Sequence, residues 1–579
     1  MTISPARVLL PLLATVVAAC ASLSAPTQPL APCRMPDVPG QALCGSVLVP
    51  EDWDQPNARR IALRVVVLRA TSARRQPDGV FFLSGGPGQA ATDGVAFQAA
   101  ALERVRVERD LVFVDQRGTG GAERLSCDLG SRAAAVRAWL TGDFPAAALA
   151  ECRRRWGRDL PRYTTANAVR DLEHVRRRLG YPAVDLVAVS YGTRPALAYL
   201  RRYPERVRTV TLRGLYPAEA PLPLWVARDA QAALDRVLAG CAADAACRAA
   251  YPEAREDVAR ALAAAARAPK TLALPGGGSL TVDRDVLAGA LLFALYSHDR
   301  AAAIPAAAHA AAAGDVEPWM SLSLGAIFPS LESLSAGVYL SVVCSEDAPR
   351  IEADGVAGAT AGTFLGDGLV RNLARTCAGW PRGTADADDL ALVRAAAPVL
   401  VISGDADPVA PPRWAEATLR ALPGSAHLVL RNTGHIPSFP PCAARATAEL
   451  IARGTAAGLP LECVAAPPAF VPPAARAPID STGPPADVAG TWAMIWQGAS
   501  GGRESGSMVL TQEGSAVRAV LRGQGSLEAE GTVRGRLLVV RGRRLLTGFE
   551  IRAEARGDTL RGALDVLTVH QEFIAVRRR

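Results

Sequence analysis

At 579 residues the chain is too long for one ordinary domain, and with half of its residues apolar it can bury a large core. The formal net charge of +8 comes almost wholly from arginines scattered among acids, Lys270 being the only lysine, which excludes the long basic blocks of a nucleic-acid surface. Beyond the N-terminus no stretch is apolar over the roughly twenty residues a membrane-spanning helix needs.

Residues 1–19 carry one cation, Arg7, and then the apolar run Val8–Val17, the make-up of a secretory signal. The run ends in Val17-Ala18-Ala19-Cys20, which resembles a bacterial lipobox. That resemblance implies acylation of Cys20, a tether over 20–32, and an exported protein anchored by lipid to the cell envelope, facing the periplasm or the exterior. The eleven cysteines, less Cys20, fall into neighbouring pairs: Cys33 and Cys44, Cys127 and Cys152, Cys241 and Cys247, Cys344 and Cys377, Cys442 and Cys463. An oxidising compartment favours disulfides of this kind, and sequential pairing is the expectation. No CxxC, HExxH or clustered histidine is present, so neither a metal nor another cofactor is expected.

Two strands, Val47–Val49 and Ile61–Leu68, flank a polar turn at Pro50-Glu51-Asp52. Short apolar runs then stop at glycine-rich loops: Gly79–Leu83 runs into Ser84-Gly85-Gly86-Pro87-Gly88, and Leu111–Val114 into Asp115-Gln116-Arg117-Gly118-Thr119-Gly120. Central parallel strands behave in this way, their C-terminal ends building a site. A helical period over Thr165–Leu179 leads into the run Val184–Val189, which ends at Ser190-Tyr191-Gly192-Thr193 and passes at once into a second helical segment. Val207–Leu212 is the next strand. Alanine-rich helical stretches, Trp225–Ala239 and Ala254–Ala266 among them, then dominate until Val399–Ile402 restores the strand pattern, followed by a helix from Pro412 to Ala421, the strand His427–Leu430 and the loop Asn432-Thr433-Gly434-His435.

The alternation predicts an α/β fold with a mostly parallel sheet, its core over 33–215 and 396–465 and a helical cap inserted over 216–395. A proline-rich linker over 466–487 joins it to residues 488–579. There, short alternating runs (Trp492–Trp496, Ser507–Gln512, Ala516–Leu521, Gly531–Val540, Leu545–Ala555, Leu560–Leu567) predict a separate antiparallel β meander or barrel. Trp492 and Trp496 share one face of their strand, the pattern of core residues.

A serine hydroxyl is a weak nucleophile until a base takes its proton, and the base works best when a carboxylate fixes its tautomer. His174 lies in a helix, His298 and His309 in the alanine-rich insertion, His427 at a strand start and His570 in the terminal domain, leaving His435 as the base for Ser190. Asp405 and Asp407 both follow Val399–Ile402 and are both open as the acid. The order serine, acid, histidine is that of the α/β-hydrolases. Ala188 stands where the G-x-S-x-G elbow has its first glycine, the mildest replacement a crowded turn accepts. The backbone N–H groups of Gly86 and Tyr191 are the expected oxyanion donors.

Ser84-Gly85-Gly86-Pro87-Gly88, Asp115 to Gly120, Ser190-Tyr191-Gly192, Gly404-Asp405-Ala406-Asp407-Pro408 and Gly434-His435 resemble the proline iminopeptidase and tripeptidyl aminopeptidase family of α/β-hydrolases over roughly residues 33–465. The resemblance implies serine exopeptidase activity on peptide substrates, with Asp407 as the triad acid. It includes Cys344-Ser345-Glu346-Asp347, and an aminopeptidase needs an acid for the substrate's cationic N-terminus, which makes Glu346 and Asp347 candidates; a salt bridge to Arg350 is the competing role. Two positions depart from the family pattern: Ser84 replaces its histidine, and Gly121-Ala122 replaces an Arg-Ser or similar pair. An esterase or amidase on the same triad is the alternative within enzymes, because fold and triad do not choose the acyl group. A non-catalytic lipoprotein binding an envelope partner through the β domain is the alternative outside them.

Overall fold

The computed structural model describes residues 30–36, 38–57, 59–274, 278–385, 387–435, 440–463, 470, 481–497, 503–523, 525–544, 547–566 and 569–578. The stretch ending at Cys20 that resembles a lipobox and most of the proline-rich linker lie outside the described residues. Seven strands come first: β1 (Ala31–Cys33), β2 (Ala42–Pro50), β3 (Arg60–Leu68), β4 (Gly79–Leu83), β5 (Asp110–Val114), β6 (Val184–Val189) and β7 (Val207–Arg213). An insertion carrying the hairpin β8 (Lys270–Ala273) and β9 (Ser279–Val282) follows, and then β10 (Val399–Gly404) and β11 (Ala426–Leu430). The main sheet runs β1-β2-β3-β5-β4-β6-β7-β10-β11, antiparallel from β1 to β5 and parallel from β5 to β11.

β4, β5 and β10 are buried along their whole length, which is why they read as unbroken apolar runs: helices cover both faces of a parallel sheet. The helix Thr165–Leu179 shows how the local signals act. Thr164 caps its N-terminus by accepting from the Asn167 N–H, Gly180 ends it in the left-handed region, and Val169, Leu172 and Val175 bury the stripe facing the sheet. Leu83 pairs with Ala188 and Val189 with Arg213, so β4, β6 and β7 finish side by side and deliver their following loops to one edge.

The loop after β5 holds that edge together. Asp115 accepts from the Thr92 N–H (2.8 Å) and hydroxyl (2.9 Å), tying the end of β5 to the segment after the Ser84–Gly88 loop. Gly120 is required there, since a Cβ would lie 1.7 Å from the Asp115 carboxylate. Arg117 is buried and grips Asp171 on the Thr165–Leu179 helix with two bonds of 2.8 and 2.7 Å, while its remaining donors reach the carbonyls of Glu51 and Arg162.

Between β7 and β10 the insertion is mainly helical, from Val226–Ala243 to Gly368–Ala378, and the β8–β9 hairpin is an addition that the alanine-rich composition concealed. Two helices from outside it, Arg132–Thr141 and Ala146–Trp156, also join this layer: Val136 and Leu140 share a core with Leu287 and Leu291, and Gly289 lets the backbones close, a Cβ there meeting the Leu140 carbonyl at 2.2 Å. All five sequential disulfides form, with Cα–Cα separations of 5.1–5.8 Å. Among the described residues no helix is long and apolar enough to cross a membrane.

The C-terminal unit is a closed antiparallel barrel of β12 (Gly490–Gln497), β13 (Arg503–Glu513), β14 (Ala516–Gly523), β15 (Gly525–Arg534), β16 (Leu537–Arg544), β17 (Thr547–Arg556), β18 (Thr559–Val566) and β19 (Val569–Arg577), sealed by β12 against β19. The expected run Gly531–Val540 is in fact two strands broken at Gly535, whose φ of +52° makes the turn. Closure removes exposed edges and fills the inside with Trp492, Leu538, Phe549, Ile551 and Phe573. Replacing Arg117 by Met takes the cation from the buried Asp171 carboxylate and leaves it the Trp53 indole as donor, and we expect a loss of about 3–5 kcal/mol in denaturant unfolding, most of it recovered in Arg117→Met/Asp171→Leu.

Candidate active site

β6 ends in a turn that only a few side chains tolerate. Ser190 has φ +54°, a left-handed conformation that costs a non-glycine residue roughly 1–3 kcal/mol, and the helix Thr193–Arg202 begins at once. Gly192 permits the turn, because a Cβ would come within 2.4 Å of the Leu83 carbonyl oxygen and 2.6 Å of that of Ser84. Thr193 secures it by donating to the Ser190 carbonyl at 2.6 Å and accepting from the Tyr216 N–H at 3.2 Å. Ala188 lies inside β6, fully buried between Leu83 and Leu212, where a small side chain suffices.

The Ser190 hydroxyl lies 2.9 Å from His435 Nε2, and His435 Nδ1 lies 2.8 Å from Asp407 Oδ2. With the ring proton on Nδ1 and given to Asp407, Nε2 is left to accept from Ser190. The other Asp407 oxygen accepts from the N–H groups of Val409 (2.9 Å) and Ala410 (2.8 Å), so the carboxylate is fixed before it meets the imidazole. Of the two acids open in the sequence, Asp407 faces His435; Asp405 lies 3.7 Å from Arg236 and accepts weakly from the Thr433 N–H. The His435 N–H donates to the Tyr296 carbonyl at 3.0 Å and its ring packs edge-on against Tyr296, with centroids 4.9 Å apart. Gly214 keeps the other side clear, since a Cβ there would lie 3.2 Å from His435 Cε1.

The loop after β4 closes on the serine. A Cβ on Gly85 would approach the Ser190 Cβ at 3.0 Å, and Gly86 adopts φ +109°. The next turn of the loop is held from the insertion, with the Ser335 N–H donating to the Gly88 carbonyl at 2.9 Å and the Ser335 hydroxyl to that of Gly118 at 2.6 Å. Ser84 is buried and its carbonyl accepts from Gln116.

Three of the discounted histidines have other partners: His174 packs edge-on against Trp53, His309 lies beside Asp257, and His427 bonds Ser403. Glu346 and Asp347, the candidates for the substrate's amine, both have partners inside the protein, Arg350 among them. Asp347 is fully buried between two guanidiniums, Arg194 at 3.0 Å and Arg350 at 3.2 Å, and accepts also from the Leu222 N–H. Both Glu346 oxygens are taken by Thr165. Sequence reasoning missed Asp229, a buried insertion residue that bonds Arg413 and the Trp414 indole just beyond Asp407; burial raises its carboxyl to about 7, with Asp407 adding to the rise. Its only signal was an acid in an apolar helix face. Among the described residues no three or more His, Cys, Asp or Glu side chains converge as a metal site would.

A family model described as "alpha/beta hydrolase fold" matches residues 80–269, from β4 through the elbow into the insertion, and one described as "TAP-like protein" matches 362–463, the stretch with Asp407 and His435. The fold of this chain is the α/β-hydrolase fold. This hydrolase is 30% identical over 240 residues to the serine protease Hip1 of Mycobacterium tuberculosis, covering 37% of this chain and 45% of that protein. It is also 30% identical over 194 residues to the tripeptidyl aminopeptidase of Streptomyces lividans, covering 30% of this chain and 36% of the relative, so the match spans less than half the length of either. Among solved structures the proline iminopeptidase of Mycobacterium smegmatis aligns over 71% of this chain and 98% of its own at 18% identity and a TM-score of 0.34. In this hydrolase Asp407→Asn leaves the ring in place but removes the preference for its productive tautomer, and we expect kcat to fall by about 10⁴ with KM little changed in steady-state assays.

Proposed function

We propose that this hydrolase is an exported, lipid-anchored serine exopeptidase that removes residues from peptide N-termini through an acyl-enzyme on Ser190. The observation that carries the reading is the unbroken chain from the Ser190 hydroxyl through His435 to Asp407, with bonds of 2.9 and 2.8 Å, at a strained strand-to-helix turn. Ser190 Oγ attacks the scissile carbonyl carbon as its proton passes to His435 Nε2. The oxyanion is received by the N–H groups of Gly86 and Tyr191, donors of a kind worth about 3–4 kcal/mol of barrier each. His435 then protonates the departing amine, water enters, and the same base drives hydrolysis of the ester.

The peptidase choice is supported by the stretches shared with a serine protease and a tripeptidyl aminopeptidase. It is supported also by the insertion: contacts through Tyr296 and Ser335 bring it against His435 and the Gly88 loop, and an insertion packed beside the site favours a chain end over the middle of a chain. Five disulfides accord with an oxidising compartment.

A fluorophosphonate probe should label the wild type and fail on Ser190→Ala. A peptide library digested by the wild type and read by mass spectrometry should lose residues from free N-termini only. Cleavage of blocked peptides, or turnover of acyl esters alone, would replace the exopeptidase reading with an endopeptidase or esterase. For the anchor, Cys20→Ala should move the protein from the membrane fraction to the soluble one; an unchanged distribution would remove the lipid from the picture.

A further inference from the structure

The acids at Glu346 and Asp347 sit on an irregular piece of helix. Ala336–Val342 is regular, and Val343–Asp347 then widens into a π-turn whose five residues are all buried. π-turns recur at functional sites because the extra residue per turn re-aims side chains. Here the turn sends two consecutive acids to the elbow: Asp347 to Arg194, on the helix that follows Ser190, and Glu346 to Thr165. The Cys344–Cys377 disulfide pins the same turn.

Glu346 Oε1 accepts from the Thr165 N–H at 2.6 Å and Oε2 from the Thr165 hydroxyl at 2.7 Å; that hydroxyl lies 2.8 Å from the Tyr191 hydroxyl. Tyr191 is the residue after Ser190 and the owner of one oxyanion N–H. When Glu346 is ionised the hydrogens can run in one direction only, from Tyr191 to Thr165 and from Thr165 to Glu346. Every hydroxyl hydrogen then has an acceptor, and the Tyr191 side chain is tethered. A proton on Glu346 Oε2 puts three hydroxyl hydrogens into a chain with two bonds, so one of them loses its acceptor inside the protein.

We propose that Glu346, acting through Thr165 and the Tyr191 side chain, is a positioning residue that holds the Tyr191 N–H on the oxyanion, and that only its ionised form does so. This rests on the Ser190 reading above. Burial pushes the Glu346 carboxyl up to about 7, against the pull of the two Thr165 bonds, with Asp347 raising it further and Arg194 on the elbow helix opposing. Arg350 faces the same turn, donating to the Glu346 carbonyl at 2.7 Å. The sign follows: a raised carboxyl is protonated below about 7, so the tether slackens and the rate falls as pH drops through that point.

The test compares wild type, Glu346→Gln and Tyr191→Phe on an aminoacyl amide and on a neutral acyl ester across the acid limb, with rates normalised to the fraction of Ser190 titrated by fluorophosphonate. The amide that Glu346→Gln introduces has one oxygen for two donors, so it cannot reproduce the ionised chain. Each variant should lower kcat about tenfold on both substrates, a partial loss of a donor whose full removal costs about 10²–10³, with KM within about twofold. Glu346→Gln should remove the fall in rate that centres near 7, and the double variant should be no worse than the single ones. Loss confined to the amide substrate and expressed in KM would overturn the proposal in favour of an amine-binding role. So would an acid limb that Glu346→Gln leaves unchanged. Should Glu346→Gln fail to fold by circular dichroism, Tyr191→Phe and Thr165→Val carry the same comparison, since both leave the carboxylate in place; normal kcat in both overturns the proposal. A wild type that fluorophosphonate does not label would instead overturn the Ser190 reading itself.

Discussion

The constraint on which the rest of the structure depends is the close approach at the end of β6, where the backbone of Gly192 passes within van der Waals reach of the β4 carbonyls while Ser190 is held at positive φ. A turn of this kind stores strain and persists only where its surroundings over-determine it. Those surroundings are visible: β4 on one side, the Thr193 hydroxyl bridging to Tyr216, and Arg194 locked to Asp347 from the insertion. The strain has a use, because it lifts the hydroxyl clear of the strand toward His435.

The insertion is therefore more than a cover. One of its helices ends at Tyr296, whose carbonyl holds the His435 backbone, and a second segment holds Gly88 through Ser335. A third buttresses the elbow through Glu346 and Asp347, and a fourth ties Asp229 to Trp414 beyond the triad acid. The His435 backbone, the Gly88 loop and the helix after Ser190 each have a partner in the insertion, which makes the geometry around Ser190 depend on the interface between sheet and insertion. The barrel keeps a hydrophobic core of its own, filled by its alternating inward residues.

Legibility followed the range of the interactions. Strand ends, the elbow, the glycine loop and the order serine, acid, histidine are written in local pattern, and the α/β fold was readable from them. Asp115 to Gly120 was readable as a motif, yet its task became plain only when Arg117 met Asp171 and Asp115 met Thr92. The β8–β9 hairpin was hidden because four-residue strands carry too few residues to show a period, and Gly531–Val540 was read as one strand because a two-residue turn does not interrupt an apolar alternation.

Sequence by itself determined the setting of Ser190, the neighbouring cysteine pairs and the presence of a separate antiparallel β domain at the C-terminus, since each depends on residues close in the chain. Only the tertiary structure set Asp407, the acid the resemblance implied, against His435, brought the helices Arg132–Thr141 and Ala146–Trp156 into the insertion's layer, and gave Glu346 and Asp347 their partners Thr165 and Arg194. The physical reason is the same in each case. A carboxylate takes its role from the donor that reaches it, and here those donors lie 28 residues away for Asp407, 181 for Glu346 and 153 for Asp347.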